Sequence, residues 1–172
     1  MALIRADLVE VCVARERGGG VAFVQLRRVR EPLAGSWQPV MGHVESGESA
    51  VEAAVRELRE EVGLRGGDAA WLGFWQLEEV SPYFVASMDA VVLSPRFVVL
   101  VEGSWEPDLT RDDAHDAHRW VDAQEVREAF LWPGQVRACA EALDVLARRG
   151  CEFERALRLA IPGGRAGPAG SA

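Results

Sequence analysis

The chain is poor in three things at once: cysteine, positive charge and long apolar runs. Its three cysteines, Cys12, Cys139 and Cys151, are an odd number, widely spaced and without a CxxC pair. That pattern suggests neither a disulfide framework nor a thiolate zinc site, and the thiols are expected to be buried and inert. Acidic residues outnumber basic ones by 27 to 19, for a net charge of −8. This balance argues against nonspecific attraction to nucleic acid or to an anionic membrane, so neither is an expected partner, and any phosphate-bearing ligand must be met by local cations. No run approaches the roughly 20 apolar residues of a membrane span. The opening MALIRADLVE also carries charges where a signal peptide would have an apolar core. The expected location is the cytoplasm.

Turning to what is there, 172 residues of which 49% are hydrophobic suffice for one domain with a real core. That domain is expected over residues 1–161. The closing PGGRAGPAGSA, residues 162–172, cannot bury enough surface to offset its ordering entropy and is expected to be a flexible tail. DLVEVCVA alternates as a strand does, GGG at 18–20 supplies a turn, and VAFVQLRRV resumes as a second strand. A Pro- and Gly-marked loop over 31–47 leads to a helix, and apolar runs at 71–77, 83–92 and 96–101 read as strands. From Asp122 the pattern turns helical, broken at WPG (132–134) and running on to about Arg149. Strands, helix, strands, helices in that order indicate an α/β or α+β layered domain around a mixed sheet.

The first helix can be placed closely. Ser49 followed by Glu52 is a capping-box pattern, and Gly63 stands where a helix would stop. At about 100° per residue, Val51, Ala54, Val55, Leu58 and Val62 form the core stripe, while Glu57, Glu60 and Glu61 gather on the neighbouring face. The small residues Ser49 and Ala53 on that face leave open space beside the carboxylates. Glu57 and Glu61 are an i, i+4 like-charge pair, which costs about 0.2–0.5 kcal/mol, and Glu61 also lies toward the negative end of the helix dipole. Arg56 reaches Glu52 and Glu60 at i±4 and relieves only part of this. A hard divalent cation such as Mg²⁺ would remove the conflict.

From Gly42 the chain reads GHVESGESAVEAAVRELREEVGL, which matches the pattern G-x5-E-x7-R-E-U-x-E-E-x-G-U, U being aliphatic. Gly42, Glu48, Arg56, Glu57, Leu58, Glu60, Glu61, Gly63 and Leu64 all fit. Seven fixed letters at about 7% usage each make a chance match on the order of one in a million. On these residues, 42–64, the chain resembles the Nudix hydrolase family. The resemblance implies an α/β/α sandwich with a mixed central sheet and hydrolysis of a nucleoside diphosphate linked to a moiety X. It places Glu57, Glu60 and Glu61 where relatives hold metal, Mg²⁺ or Mn²⁺, and where one acid activates water. Arg56 matches the arginine that orients these acids, and Glu48 the acid that supports it. Relatives are often homodimers. Many carry Pro-Gly-Gly ahead of the box; here Val40, Met41 and Gly42 stand instead, so the Met41 carbonyl becomes the candidate backbone metal ligand. SWQPVMGHVESGE further resembles the branch with dihydroneopterin triphosphate and dATP pyrophosphohydrolases. That likeness favours a triphosphate cleaved to a monophosphate and pyrophosphate, ahead of nucleotide sugars and dinucleoside polyphosphates. The rival class is a Nudix-like domain that senses a nucleotide without cleaving it.

Arg27 and Arg28 end a strand where relatives often place a phosphate-contacting arginine, and alternation sends them to opposite faces. Trp37, on the loop before the box, is a candidate to stack on a base, and Gly42 to lie against substrate. Trp71, Trp75, Tyr83, Phe84 and Phe97 are expected in the core. Asp112, Asp113 and His115 lie where relatives supply an extra acid, and each is expected in a solvated loop. His43 is expected to be incidental.

Overall fold

The computed structural model describes residues 1–31 and 33–161; the expected tail lies outside the described residues. Two long strands, β2 (Leu8–Arg17) and β3 (Gly20–Arg28), form the expected hairpin. Their left-handed turn glycines, Gly18 and Gly19 at φ 62° and 82°, adopt a conformation that side chains resist. β9 (Arg96–Val101) runs parallel to β2, β6 (Trp71–Gln76) runs antiparallel to β9, and β10 (His115–Asp122) runs antiparallel to β3. The order β10-β3-β2-β9-β6 makes a mixed sheet. Beyond the turn β2 and β3 diverge, and β5 (Val40–His43) and β4 (Trp37–Gln38) fill the fork, pairing with β2 and β3 respectively.

Alternation along the strands builds a core on each face. Val9, Val11, Val13, Val24, Leu26, Phe97 and Val99 pack under α1 (Ala50–Val62) through Ala54, Leu58 and Val62. Cys12, Ala14, Phe23, Val98 and Leu100 pack under α3 (Pro133–Ala147), with Val126 and Phe130 from around the short α2 (Val126–Ala129). The expected sandwich is the one observed: helices cover both faces of a mixed sheet. α4 (Glu152–Leu157) closes the described chain. Among the described residues no helix is long and apolar enough to cross a membrane.

Several expectations are corrected. The run 83–92 is not one strand but β7 (Tyr83–Val85), a single 3₁₀ turn at Ala86–Met88 and β8 (Ala90–Val92). Asp89 turns the chain at φ 44°, and both strands join β1 (Leu3–Arg5) in a separate small sheet. Tyr83 and Phe84 are therefore exposed, 40% and 58%, whereas Trp71, Trp75 and Phe97 are buried as expected. Cys12 and Cys139 are buried but Cys151 is exposed. The buried side of α1 is also rotated from its expected position. Ala53, Glu57 and Glu61 are buried while Val51 and Val55 are only half-buried, because β5 lies against that flank. The space beside Ala53 is filled core, not an opening.

Candidate functional site

The capping box forms as its residues dictate. Ser49 Oγ accepts the Glu52 N–H at 3.3 Å while Glu52 Oε2 accepts the Ser49 N–H at 2.8 Å. Glu52 is thus occupied at the cap and does not pair with Arg56. At the other end Gly63 adopts φ 72° and the Val62 carbonyl accepts the Asp108 N–H at 3.0 Å, which fastens the loop before β10 to the helix.

Arg56 uses all three of its nitrogens. Nε and Nη2 grip the two Glu48 oxygens at 3.0 Å each, Nη1 reaches Glu57 at 2.6 Å and Glu60 at 3.2 Å, and Nη2 also donates to the His43 carbonyl at 2.7 Å. The exposed His43 takes part only through its backbone. The Glu48 carboxylate beside it pushes the guanidinium pKa up, and Arg56 in turn holds Glu48 below the usual carboxylate range. Burial raises the pKa of Glu57, and Arg56 offsets part of that rise. Gly42 is a steric requirement: a Cβ there would lie 1.9 Å from Glu57 Oε1, so only glycine lets this carboxylate lie on β5. Glu60 is exposed and also bridged to Arg59 at 2.7 Å.

Glu61 sits apart from this network. Its Oε2 accepts the Met41 N–H at 3.2 Å. Burial first, and the Glu57 charge second, push its pKa well above the ordinary value. Met41 pairs with Glu10 across β2, and its amide points away from that strand; the N–H and C=O of one strand residue share an edge, so the Met41 carbonyl faces the same side as Glu61.

Asp112 and His115 are not in a solvated loop. Their side chains are 4% and 1% exposed, with His115 Nδ1 2.6 Å from Asp112 Oδ2 and 3.9 Å from Glu61 Oε1. The other ring nitrogen meets the Gln38 amide nitrogen at 2.9 Å. Asp113 is solvated as expected, where it pairs with Arg30. The placement of His115 was hidden because β10 carries polar residues on both faces, which blurs the period of two; Gln38 gave no sequence signal. The turn is visible in retrospect: Asp112 Oδ1 accepts the Ala114 N–H at 2.8 Å, an Asx-type bond that starts the strand.

Arg27 and Arg28 do point to opposite faces. Arg28 stands opposite His115, donates Nε to the Arg30 carbonyl at 2.9 Å and lies near enough to Glu61 to pull its pKa back down. Arg27 is bound to Asp116 at 2.7 Å on the far face, where Trp37 sits beside it. The Arg119 guanidinium covers the Trp37 ring at 4.4 Å, and Trp37 lines a cleft of about 400 Å³ with Glu128, Phe130 and Leu131. Arg56, Glu48, Glu57, Glu60 and Gly42 therefore share one network and Glu61 and Met41 an adjacent one, while Arg27 and Trp37 belong to the other side of the sheet.

A mixed sheet between helical layers, displaying an acid-rich helix against a glycine on its edge strand, defines the class as an α/β/α sandwich. The NUDIX domain family matches residues 5–142, and the chain belongs to that family. It is 33% identical over 128 residues to an octanoyltransferase of Myxococcus xanthus, covering 73% of this chain and 33% of that protein. It is 34% identical over 111 residues to an RNA pyrophosphohydrolase of Rhodospirillum rubrum, covering 60% of this chain and 65% of that one. The chain thus spans less than two thirds of the length of either relative. In fold it is similar to an Ap4A hydrolase of C. elegans, with a TM-score of 0.66 and 17% identity over 83% of this chain and 98% of that one. It is likewise similar to the dihydroneopterin triphosphate pyrophosphohydrolase of E. coli, with a TM-score of 0.64 and 20% identity over 78% and 94% of the two chains.

Proposed function

We propose that the chain is a divalent-metal-dependent pyrophosphohydrolase. It hydrolyses a P–O–P bond in a nucleoside triphosphate or related nucleoside diphosphate-X, releasing a monophosphate together with pyrophosphate or X-phosphate. The observation that carries this reading is the burial of Glu57 and Glu61, 9% and 8% exposed, with pKa values raised by that burial. Buried carboxylates crowded against one another, with Arg56 offsetting only part of their charge, fit a hard cation, and the candidate donors, Glu57, Glu60, Glu61 and the Met41 carbonyl, are all oxygens. Among the described residues no three His, Cys, Asp or Glu side chains are grouped to hold a metal ion; Arg56 holds Glu57 and Glu60, and Met41 N–H holds Glu61.

Mg²⁺ or Mn²⁺, when bound, supplies neutralisation of phosphate charge and acidification of water. The chain's own residues do the rest. Arg56, clamped by Glu48, orients Glu57 and Glu60; Glu61, held by the Met41 N–H and not by Arg56, is the group we assign to take a proton from the attacking water. Arg28, on the Glu61 side of the sheet, faces the phosphates. Positioning of water and phosphorus in line carries much of the acceleration. The small-molecule partner is a nucleotide triphosphate by the likeness of the 36–48 segment to the dihydroneopterin triphosphate and dATP branch.

A nucleotide panel assayed with Mg²⁺ for released phosphate and pyrophosphate tests the reading. Turnover of at least one substrate is expected, with Glu60→Gln and Glu61→Gln each lowering it on the order of a hundredfold or more. A chain that binds nucleotides without turnover is a sensor, and retention of activity in both variants removes the acids from the mechanism.

A further inference from the structure

We infer that His115 is a positioning residue for Glu61, holding the backbone that presents that carboxylate to a divalent cation, with Asp112 fixing the imidazole. The inference rests on the metal-dependent reading above and adds residues from outside the 42–64 motif to it.

Nδ1 stands 3.9 Å from Glu61 Oε1, beside the carboxylate but beyond hydrogen-bond distance. The hold on Glu61 runs through the backbone. Gln38 Nε2 is an amide donor, so the imidazole Nε2 that meets it at 2.9 Å accepts, and Nδ1–H donates to Asp112 Oδ2 at 2.6 Å. Gln38 stands three residues before Met41, across the rigid φ of Pro39. Met41 N–H holds the second Glu61 oxygen at 3.2 Å. One ring thus packs beside one carboxylate oxygen and secures β4, which leads through Pro39 into β5 and the Met41 amide that binds the other.

Asp112 is itself anchored, because its Oδ1 accepts the Ala114 N–H at 2.8 Å and the loop it ends is tied to the Val62 carbonyl through Asp108. Three segments distant in sequence, β4, the loop 108–114 and the last turn of α1, therefore meet at a side chain that is 1% exposed. Removing it frees Glu61 to rotate and loosens β4. Groups that hold ligands in place in this way are typically worth about 10- to 100-fold in metal affinity.

The test is Mn²⁺ binding to the full chain, read by electron paramagnetic resonance without nucleotide, with thermal unfolding as a check on the fold. His115→Ala is expected to weaken Mn²⁺ binding about 10- to 100-fold, and Gln38→Ala to a lesser degree. Asp112→Asn keeps an acceptor for Nδ1–H and is expected to bind within a few-fold of the starting protein, whereas Asp112→Ala follows His115→Ala. If His115→Ala fails to fold, the Asp112→Asn and Asp112→Ala pair still discriminates. Unchanged Mn²⁺ binding in a folded His115→Ala, or equal losses in the two Asp112 variants, overturns the positioning role alone. Absence of Mn²⁺ binding by the unaltered chain overturns the metal-dependent reading and this inference with it.

Discussion

Two buried arginines, Arg56 on α1 and Arg96 on the α3 side of the sheet, are satisfied very differently. Arg56, with a side chain 16% exposed, donates from every nitrogen to Glu48, Glu57, Glu60 and the His43 carbonyl. Arg96, 3% exposed, makes one bond, Nη2 to Glu10 at 3.0 Å, and Glu79 stays 4.0 Å from Nη1. Among the described residues no acceptor reaches its Nε or Nη1. The first is a template over-determined by its neighbours, which preorganises the acids around it. The second is an ion pair under α3 with little bonding beyond charge balance, where a buried pair is weak ground for stability. The same residue type is bonded through every nitrogen in the more exposed place and through one in the more buried.

The largest effect should come from breaking the Arg56 template. Arg56→Ala leaves the buried Glu57 without its cation and is expected to lower stability by about 2–3 kcal/mol in urea unfolding. Arg56→Lys should recover only part of this, because an ammonium cannot grip Glu48 with two nitrogens. Gly42→Ala attacks the same network from the strand side: a Cβ 1.9 Å from Glu57 Oε1 must expel that carboxylate. Its cost is expected at about 1–3 kcal/mol, together with loss of turnover. A Gly42→Ala protein as stable and active as the starting chain would show that Glu57 does not rest on β5.

The motif was legible because it concentrates its residues. Ser49 and Glu52 announced the helix start and Gly63 its end, and both form as the local chemistry dictates. The alternation of 7–14 and 21–29 likewise yielded the hairpin at the centre of the sheet. What could not be read depended on distant partners. β4 and β5 are two and four residues long and exist because β3 and β2 hold them. Their presence against α1 is what turned Glu57 and Glu61 inward. His115 had no local signal either: its burial follows from pairing with Arg28, 87 positions earlier.

Glu61 offers an intermediate effect, of a sign it shares with Glu57, whose pKa burial also raises. The folded pKa of Glu61 stands well above the ordinary carboxylate value, chiefly through burial. Between those two values the folded chain keeps a proton that the unfolded chain releases, so the folded state binds more protons and stability falls as pH rises through the window. Acids with lowered pKa values, such as Glu48 and Glu52, act with the opposite sign and only at lower pH. In EDTA the urea midpoint is therefore expected to decline as pH rises above the ordinary carboxylate range. Glu61→Gln should flatten that decline. An unaltered slope in that variant would place the titrating group elsewhere.

The smallest effect is expected where a charge count alone would predict a large one. Replacing Arg96 and Glu10 together by methionine removes a pair that is almost wholly buried, so no isolated charge remains and the desolvation of both ions is recovered. Glu79 keeps its bonds to Ser81 and to Arg137, the latter at 3.0 Å, so the surrounding loop is still held. Stability is expected within about 1 kcal/mol of the starting protein, or higher. No such exchange is open to Arg56, whose removal leaves both Glu48 and Glu57 without a cation rather than one acid. If the double variant instead lost several kcal/mol in the same urea assay, the Arg96–Glu10 pair would be a net stabilising element of the packing under α3, and the contrast with Arg56 would be one of degree.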